Sequence, residues 1–247
     1  MQNDNDQLLA GIVRDIESYV DYLKDNNVTK IVSSFRARPS EIGGELSIAP
    51  GNPVLPEEEL KSISAEIARC VKCALHEKRT KTVPGQGNSR PEILFIGEGP
   101  GEDEDLQGLA FVGRAGKLLT RLILRMGFTR EEVFIANVVK CRPPNNRKPL
   151  PEEVKACRPY LERQIAILKP KVLVLLGASA LEALFPPVMP GRTISKMRGQ
   201  WLECQGIPAM PTFHPSYLLR NQSAMWDVWA DMELVLGRLG RPVPAKA

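Results

Sequence analysis

Four short apolar runs set the strongest limit on how this chain can fold. They are Glu92–Gly97, Val133–Val138, Lys171–Leu176 and Ile207–Phe213, and each is bounded by turn or polar residues. Runs of this length rich in Ile, Val, Leu and Phe read as buried strands. Between and after them lie segments of helical periodicity at Arg114–Met126, Pro151–Leu168, Ala178–Leu184 and Ser223–Leu239. The second of these opens "LPEEVKAC", a proline in the first turn followed by two acids, which suits a helix N-terminus. Strands alternating with helices predict an α/β fold: a three-layer α/β/α sandwich around a central, mostly parallel four-stranded sheet. Such sheets bind ligands in the crevice beyond the carboxyl ends of their strands. Four segments therefore carry the functional expectation: "GEGPGEDED", "NVVKCRPPNNR", "GASA" and "HPSYLLRN".

The body of the chain is expected over residues 61–247, behind an N-terminal extension of residues 1–60. Leu8, Leu9, Ile12, Ile16, Tyr19, Val20 and Leu23 predict a helix within residues 5–25, and residues 33–60 are rich in Ser, Gly and Pro, as a linker is. The extension is acidic, with 5 Lys/Arg against 11 Asp/Glu, whereas the body carries 28 basic and 18 acidic residues. A basic body suits a polyanionic partner, although basic faces are also common as plain solvated surface. No apolar run approaches the roughly 20 residues that a membrane helix needs. The first residues have neither a basic n-region nor an apolar h-region, so the cytoplasm is the expected compartment and no membrane partner is expected. In that setting the five cysteines are not expected to form a disulfide framework.

The turn "GEGPGEDED" is acidic where a phosphate-binding turn would not be. Its glycines stand at 97, 99 and 101, and the third position of a dinucleotide fingerprint is Glu102, so that reading fails on spacing. A turn that brings backbone close to a ligand and presents carboxylates suits positioning a water or stabilising a cation. Cys70 and Cys73 form a C-x-x-C, while Cys141 and Cys157 are dispersed, one after a strand and one in a helix. Spacing alone leaves a structural zinc and a four-cysteine iron–sulfur cluster open. Cys204 reads as a buried apolar residue. Of the two histidines, His76 reads as a neighbour of the cysteine pair, and His214 stands at the end of the last strand, where the crevice should be.

Taken together, "CVKCALHEKRTKTVPGQGN", "GEGPGEDED", "FVGRAG", "NVVKCRPPNNR", "ACRPYL" and "HPSYLLRN" resemble the family 4 uracil-DNA glycosylases, iron–sulfur enzymes of the uracil-DNA glycosylase superfamily. The resemblance covers about residues 61–240. It implies a monofunctional glycosylase that flips uracil out of single- or double-stranded DNA, hydrolyses its N-glycosidic bond and leaves an abasic site for base excision repair. By resemblance, Glu98 positions water or stabilises the sugar cation, and His214 faces uracil O2. Glu104 and Asn146 support the site, Phe111 stacks on uracil, and Asn137 reads the base edge. Gly97, Gly99 and Gly101 line the base, the last two standing where relatives carry an Asp and a Tyr. Leu218 matches the wedge that fills the vacated stack. Cys70, Cys73, Cys141 and Cys157 match the ligands of a [4Fe–4S] cluster.

The chemistry suits these residue types. Flipping a base costs a few kcal/mol, and an aromatic platform returns roughly 1–3 kcal/mol by stacking. Bond cleavage leaves positive charge on the sugar and negative charge on the base, so an acid and a donor serve its opposite ends. Arg142, Arg147, Lys148 and Arg220 are candidate phosphate contacts, and the loops at Arg142–Pro149 and Val83–Asn88 are candidates to approach the DNA backbone. The loop "CRPPNNRKPLPEE" lacks the histidine insertion with which a related branch traps its product, so turnover is expected. A monomer in a bacterial or archaeal cytosol is the accompanying expectation. Two rivals stand beside this reading: an iron–sulfur module that recognises damage without cleaving, and a zinc-dependent hydrolase, for which two histidines outside H-E-x-x-H give little support.

Overall fold

The computed structural model describes residues 55–185 and 193–244; the expected helix within residues 5–25 lies outside them. The elements are α1 (Pro56–Ala68), β1 (Gln86–Gly87), β2 (Ile93–Gly97), α2 (Glu102–Gln107), α3 (Arg114–Arg125), β3 (Phe134–Asn137) and α4 (Pro151–Leu168). They continue with β4 (Val172–Leu176), α5 (Ala178–Leu184), α6 (Ile194–Met197), β5 (Leu202–Cys204), β6 (Ile207–Thr212), α7 (Pro215–Leu218) and α8 (Met225–Arg238).

The sheet has six strands in the order β1-β3-β2-β4-β6-β5, not four. The four expected strands form its parallel centre, and β1 and β5 are short antiparallel edges. Every residue of β2, β3 and β4 is buried, and alternate residues feed opposite cores, as the period of two requires. On one face Leu94, Ile96, Leu173 and Leu175 meet Ile63 and Ile67 of α1 and Leu161 and Ile165 of α4. On the other, Phe95, Ile135, Val174 and Met210 meet Leu119 and Ile123 of α3 and Met232 and Val235 of α8. Three layers result.

Helix α1 begins at Pro56 and buries Ile63 and Ile67, so residues 56–60 are part of the body and not of the linker. The signal is the one that marks α4, a proline in the first turn followed by acids, here Glu57, Glu58 and Glu59. No helix among the described residues is long and apolar enough to cross a membrane.

Chain order places the crevice. From β2 the chain runs to β3 on one side, then crosses to β4 on the other. The carboxyl ends of β2 and β4 therefore flank the topological switch point.

Candidate active site and cysteine pocket

Register brings the first two site residues together. Gly97 at the end of β2 pairs with Asn137 at the end of β3. A methyl group on Gly97 would lie 2.5 Å from Asn137 Oδ1 and 2.4 Å from Phe111 Cζ. Only glycine lets the aromatic ring and the amide share this corner. Asn137 is 1% exposed, yet its Oδ1 has no hydrogen-bond partner among the described residues. Buried polar atoms are ordinarily paired, and leaving one unmet costs about 1–3 kcal/mol. This acceptor is free for a ligand.

Phe111 is held in an unusual backbone state. Its φ is 52°, in the left-handed region that bulky side chains avoid. Its own carbonyl accepts from Arg130 Nη1 at 3.1 Å, and the Ala110 carbonyl accepts from Arg130 Nη2 at 2.7 Å. Glu104 fastens the other side of the same loop: Oε1 accepts from the Val112 and Gly113 amides, both at 2.8 Å, and Oε2 from the Gly101 amide at 3.0 Å. Gly116 completes the clamp, since a methyl there would lie 2.0 Å from the Phe111 carbonyl.

The acidic turn divides its carboxylates. Glu102 to Asp105 form the first turn of α2, where the helix dipole favours acids. Glu104 and Asp105 turn inward onto backbone amides, Asp105 onto Thr80 at 3.0 and 3.1 Å. Glu98 alone precedes the helix, at the carboxyl end of β2, and its Oε2 accepts a hydrogen bond from Ser179 Oγ. Glu102 and Asp103 stay exposed, so Glu98 is the carboxylate of this turn held at the strand end. Gly99 packs on the segment after β3, where a methyl would lie 2.8 Å from Val139 Cγ2.

His214 follows β6 and caps α7. The Ser216 backbone N–H donates to its Nδ1 at 3.1 Å, and Ser216 Oγ lies 2.8 Å away. An amide N–H can only donate, so Nδ1 is an acceptor and the neutral ring carries its proton on Nε2. Desolvation pushes the imidazole pKa down to about 4, so it is neutral near pH 7. Its ring centroid lies 5.7 Å from that of Phe111.

The four cysteines converge on a second site. Cys70 and Cys73 after α1, Cys141 after β3 and Cys157 on α4 line one pocket. Burial pushes the Cys73, Cys141 and Cys157 thiols up, Cys157 to about 11. Arg79 lies across the rim, donating to the Cys70 carbonyl at 2.7 Å and to Cys141 Sγ at 3.4 Å. His76 also lines the pocket, with Nδ1 2.8 Å from the Cys73 carbonyl. Among the described residues, no three His, Cys, Asp or Glu side chains draw together closely enough to hold one metal ion.

Comparison with known proteins places this architecture. The family model of the uracil DNA glycosylase superfamily matches residues 84–233. A type-4 uracil-DNA glycosylase of Thermotoga maritima is 51% identical over 172 residues, which cover 68% of this chain and 86% of the relative. The chain belongs to the type-4 uracil-DNA glycosylases. Other members of that family are similar: one of Saccharolobus solfataricus is 48% identical over 66% of this chain and 79% of its own length. One of Archaeoglobus fulgidus is 42% identical over 76% of this chain and 96% of its own length.

The residues expected to face DNA sit in different surroundings in this glycosylase. Leu218 is 3% exposed and packed in the core beside Leu119, Leu122 and Met225. Tyr217 and Leu219 are the exposed apolar side chains of the segment, at 39% and 40%. Arg147 donates to both oxygens of the buried Glu153, with bonds of 2.8 and 2.7 Å. Lys148 pairs with Glu182 at 2.6 Å. Arg142 donates to Asn146 Oδ1 at 2.8 Å and approaches Glu102 at 3.7 Å. Asn146 is itself exposed. Arg220 is exposed and has no ion pair among the described residues. In the Val83–Asn88 loop, Gly87 is required by packing, because a methyl there would meet the Val133 carbonyl oxygen at 1.9 Å.

Arg130 and Ser179 were not singled out from the sequence. Arg130 sits in an ordinary charged turn, and nothing in "FTREEVF" marks its reach to Phe111. "GASA" stood out by its place after a strand, but a serine in a short helix carries no further signal.

Proposed function

We propose that this chain hydrolyses the bond between uracil and deoxyribose in DNA, with the base held between Phe111, Asn137 and His214. The activity follows from membership of the family; the assignment of tasks to residues rests on geometry. The unpartnered Asn137 Oδ1, buried beside the Phe111 ring, carries the reading. It suits the N3–H of uracil, and the same amide can donate to O4.

The remaining steps follow from charge. As the glycosidic bond breaks, its electron pair moves onto the base and positive charge grows on the sugar. The Nε2–H of His214 stabilises negative charge at O2, and the Glu98 carboxylate stabilises the sugar or orients the attacking water. Phe111 supplies the stacking face. Glu104 and Arg130 hold its loop. Arg220 and Arg142 are suited to phosphates. The test is uracil release from a uracil-containing oligonucleotide beside a matched thymine control. Release from both, or from neither, overturns the reading.

The four thiols come from three separate segments and line one pocket, which suits a [4Fe–4S] cluster. A cluster, when bound, ties the Cys70–Cys73 segment to the Cys141 loop and to α4. Anaerobically purified protein is expected to be yellow-brown and to contain iron. Stoichiometric zinc without iron overturns this assignment.

Residues 1–51 contribute none of these groups. Their deletion is expected to leave iron content and uracil release intact, and to strengthen non-specific DNA binding by removing acidic charge. A folded, iron-loaded truncation that loses uracil release refutes it.

A further inference from the structure

The segment "GASA" lies between the two groups assigned to opposite ends of the reaction. Strand β4 sits between β2 and β6, so its following turn lies between Glu98 after β2 and His214 after β6. Both contacts are present. Gly177 has φ of 87°, and a methyl on it would lie 2.9 Å from His214 Cβ. Ser179, two residues on and 6% exposed, donates from Oγ to Glu98 Oε2.

We infer that Gly177–Ser179 is a positioning element of the active site, in which the Ser179 hydroxyl fixes the Glu98 carboxylate. The inference rests on the reading of Glu98 given above and adds the residue that orients it. A helical serine commonly turns its hydroxyl back to a carbonyl of the preceding turn. Here it reaches across to the neighbouring strand end instead. Among the described residues, Ser179 is the one hydrogen-bond donor to the Glu98 side chain. An ionised carboxylate only accepts, so the single hydroxyl proton is committed to Oε2. Oε1 is left to face water or sugar. A glutamate with three side-chain torsions and no other tether would sample many directions, and misplacement of a reacting group is costly in rate.

The experiment is a double-mutant cycle on full-length, iron-loaded protein, read as single-turnover uracil release with enzyme in excess and as DNA affinity. Ser179→Ala is expected to slow release by about 10–100-fold, the range for losing a hydrogen bond to a charged group, with DNA affinity unchanged. Ser179→Thr, which keeps the hydroxyl, is expected to recover most of the rate. In a Glu98→Ala background, Ser179→Ala is expected to cost nothing further, because coupled residues do not add. An equal loss in both backgrounds overturns the inference, as does a fall in affinity at an unchanged bound-state rate. If Glu98→Ala is slow while Ser179→Ala matches wild type, the inference fails and Glu98 keeps its role. If Glu98→Ala itself loses nothing, the reading of Glu98 fails first and Ser179 with it. Should Ser179→Ala lose its iron or melt early, the comparison passes to Ser179→Cys, close in size to serine and a much weaker donor, in the same two backgrounds, judged by the same outcomes.

Discussion

Replacing His214 by alanine is expected to slow single-turnover uracil release by about 10²–10³, the usual cost of removing one donor from a developing oxyanion. DNA affinity is expected to change little. The donor serves O2, which gains its negative charge as the bond breaks, so its worth lies in the transition state and not in the ground state. The neutral tautomer makes a second, independent expectation. The Ser216 N–H points at Nδ1 and desolvation holds the pKa at about 4, so protonation of His214 leaves no limb near pH 6.5 in the rate profile. The same shift sets the sign for stability. The folded pKa lies below the unfolded value near 6.5, so below that value the unfolded chain binds more protons at this site. This contribution is therefore lost as pH falls from about 6.5 towards 4. A variant whose affinity collapses while its bound-state rate holds marks His214 as a DNA contact instead.

The sheet centre was legible because its strands are buried on both faces, which leaves continuous apolar runs such as "ILFIG" and "VLVLL". The edges were not. Strand β1 is two residues long and β5 three, too short for any period. Helix α2 hid inside the acidic turn, because "EDED" read as a ligand-facing cluster is equally the acid-rich first turn of a helix. The same ambiguity governs Leu218 and Leu219. Adjacent leucines in a one-turn helix give no periodicity to say which faces the core, and Leu218 does. Arg147 shows a different limit: its partner Glu153 doubles as the capping acid of α4, with Oε2 accepting from Leu150 N at 2.7 Å. Positive charge beside a crevice was visible in the sequence; its neutralisation was not.

Asn137→Asp is expected to abolish most uracil release and to shift base preference towards cytosine. The side-chain amide can accept from uracil N3–H and donate to O4; cytosine reverses both groups to an acceptor and a donor. A site that hydrogen-bonds its substrate in this way discriminates by about 10⁴–10⁵ against one that mispairs with it. Aspartate removes the donor, so O4 faces a carboxylate oxygen, while the cytosine amino group finds an acceptor. Since a good two-point contact is worth about 1–3 kcal/mol, the uracil-to-cytosine ratio is expected to fall by about 10–100-fold. Asn137 is buried and its Oδ1 has no partner among the described residues, so a base that mispairs there leaves a buried polar atom unmet. The backbone beside it is anchored separately, through Lys140 Nζ donating to the Asn137 carbonyl at 2.9 Å and to Gln164 Oε1 at 2.6 Å. The substitution therefore changes the reading edge without releasing the strand end. If Asn137 only ordered that end, as strand-terminal asparagines often do, folded and iron-loaded Asn137→Asp would keep the wild-type ratio. Measuring release from matched uracil and cytosine oligonucleotides separates the two cases.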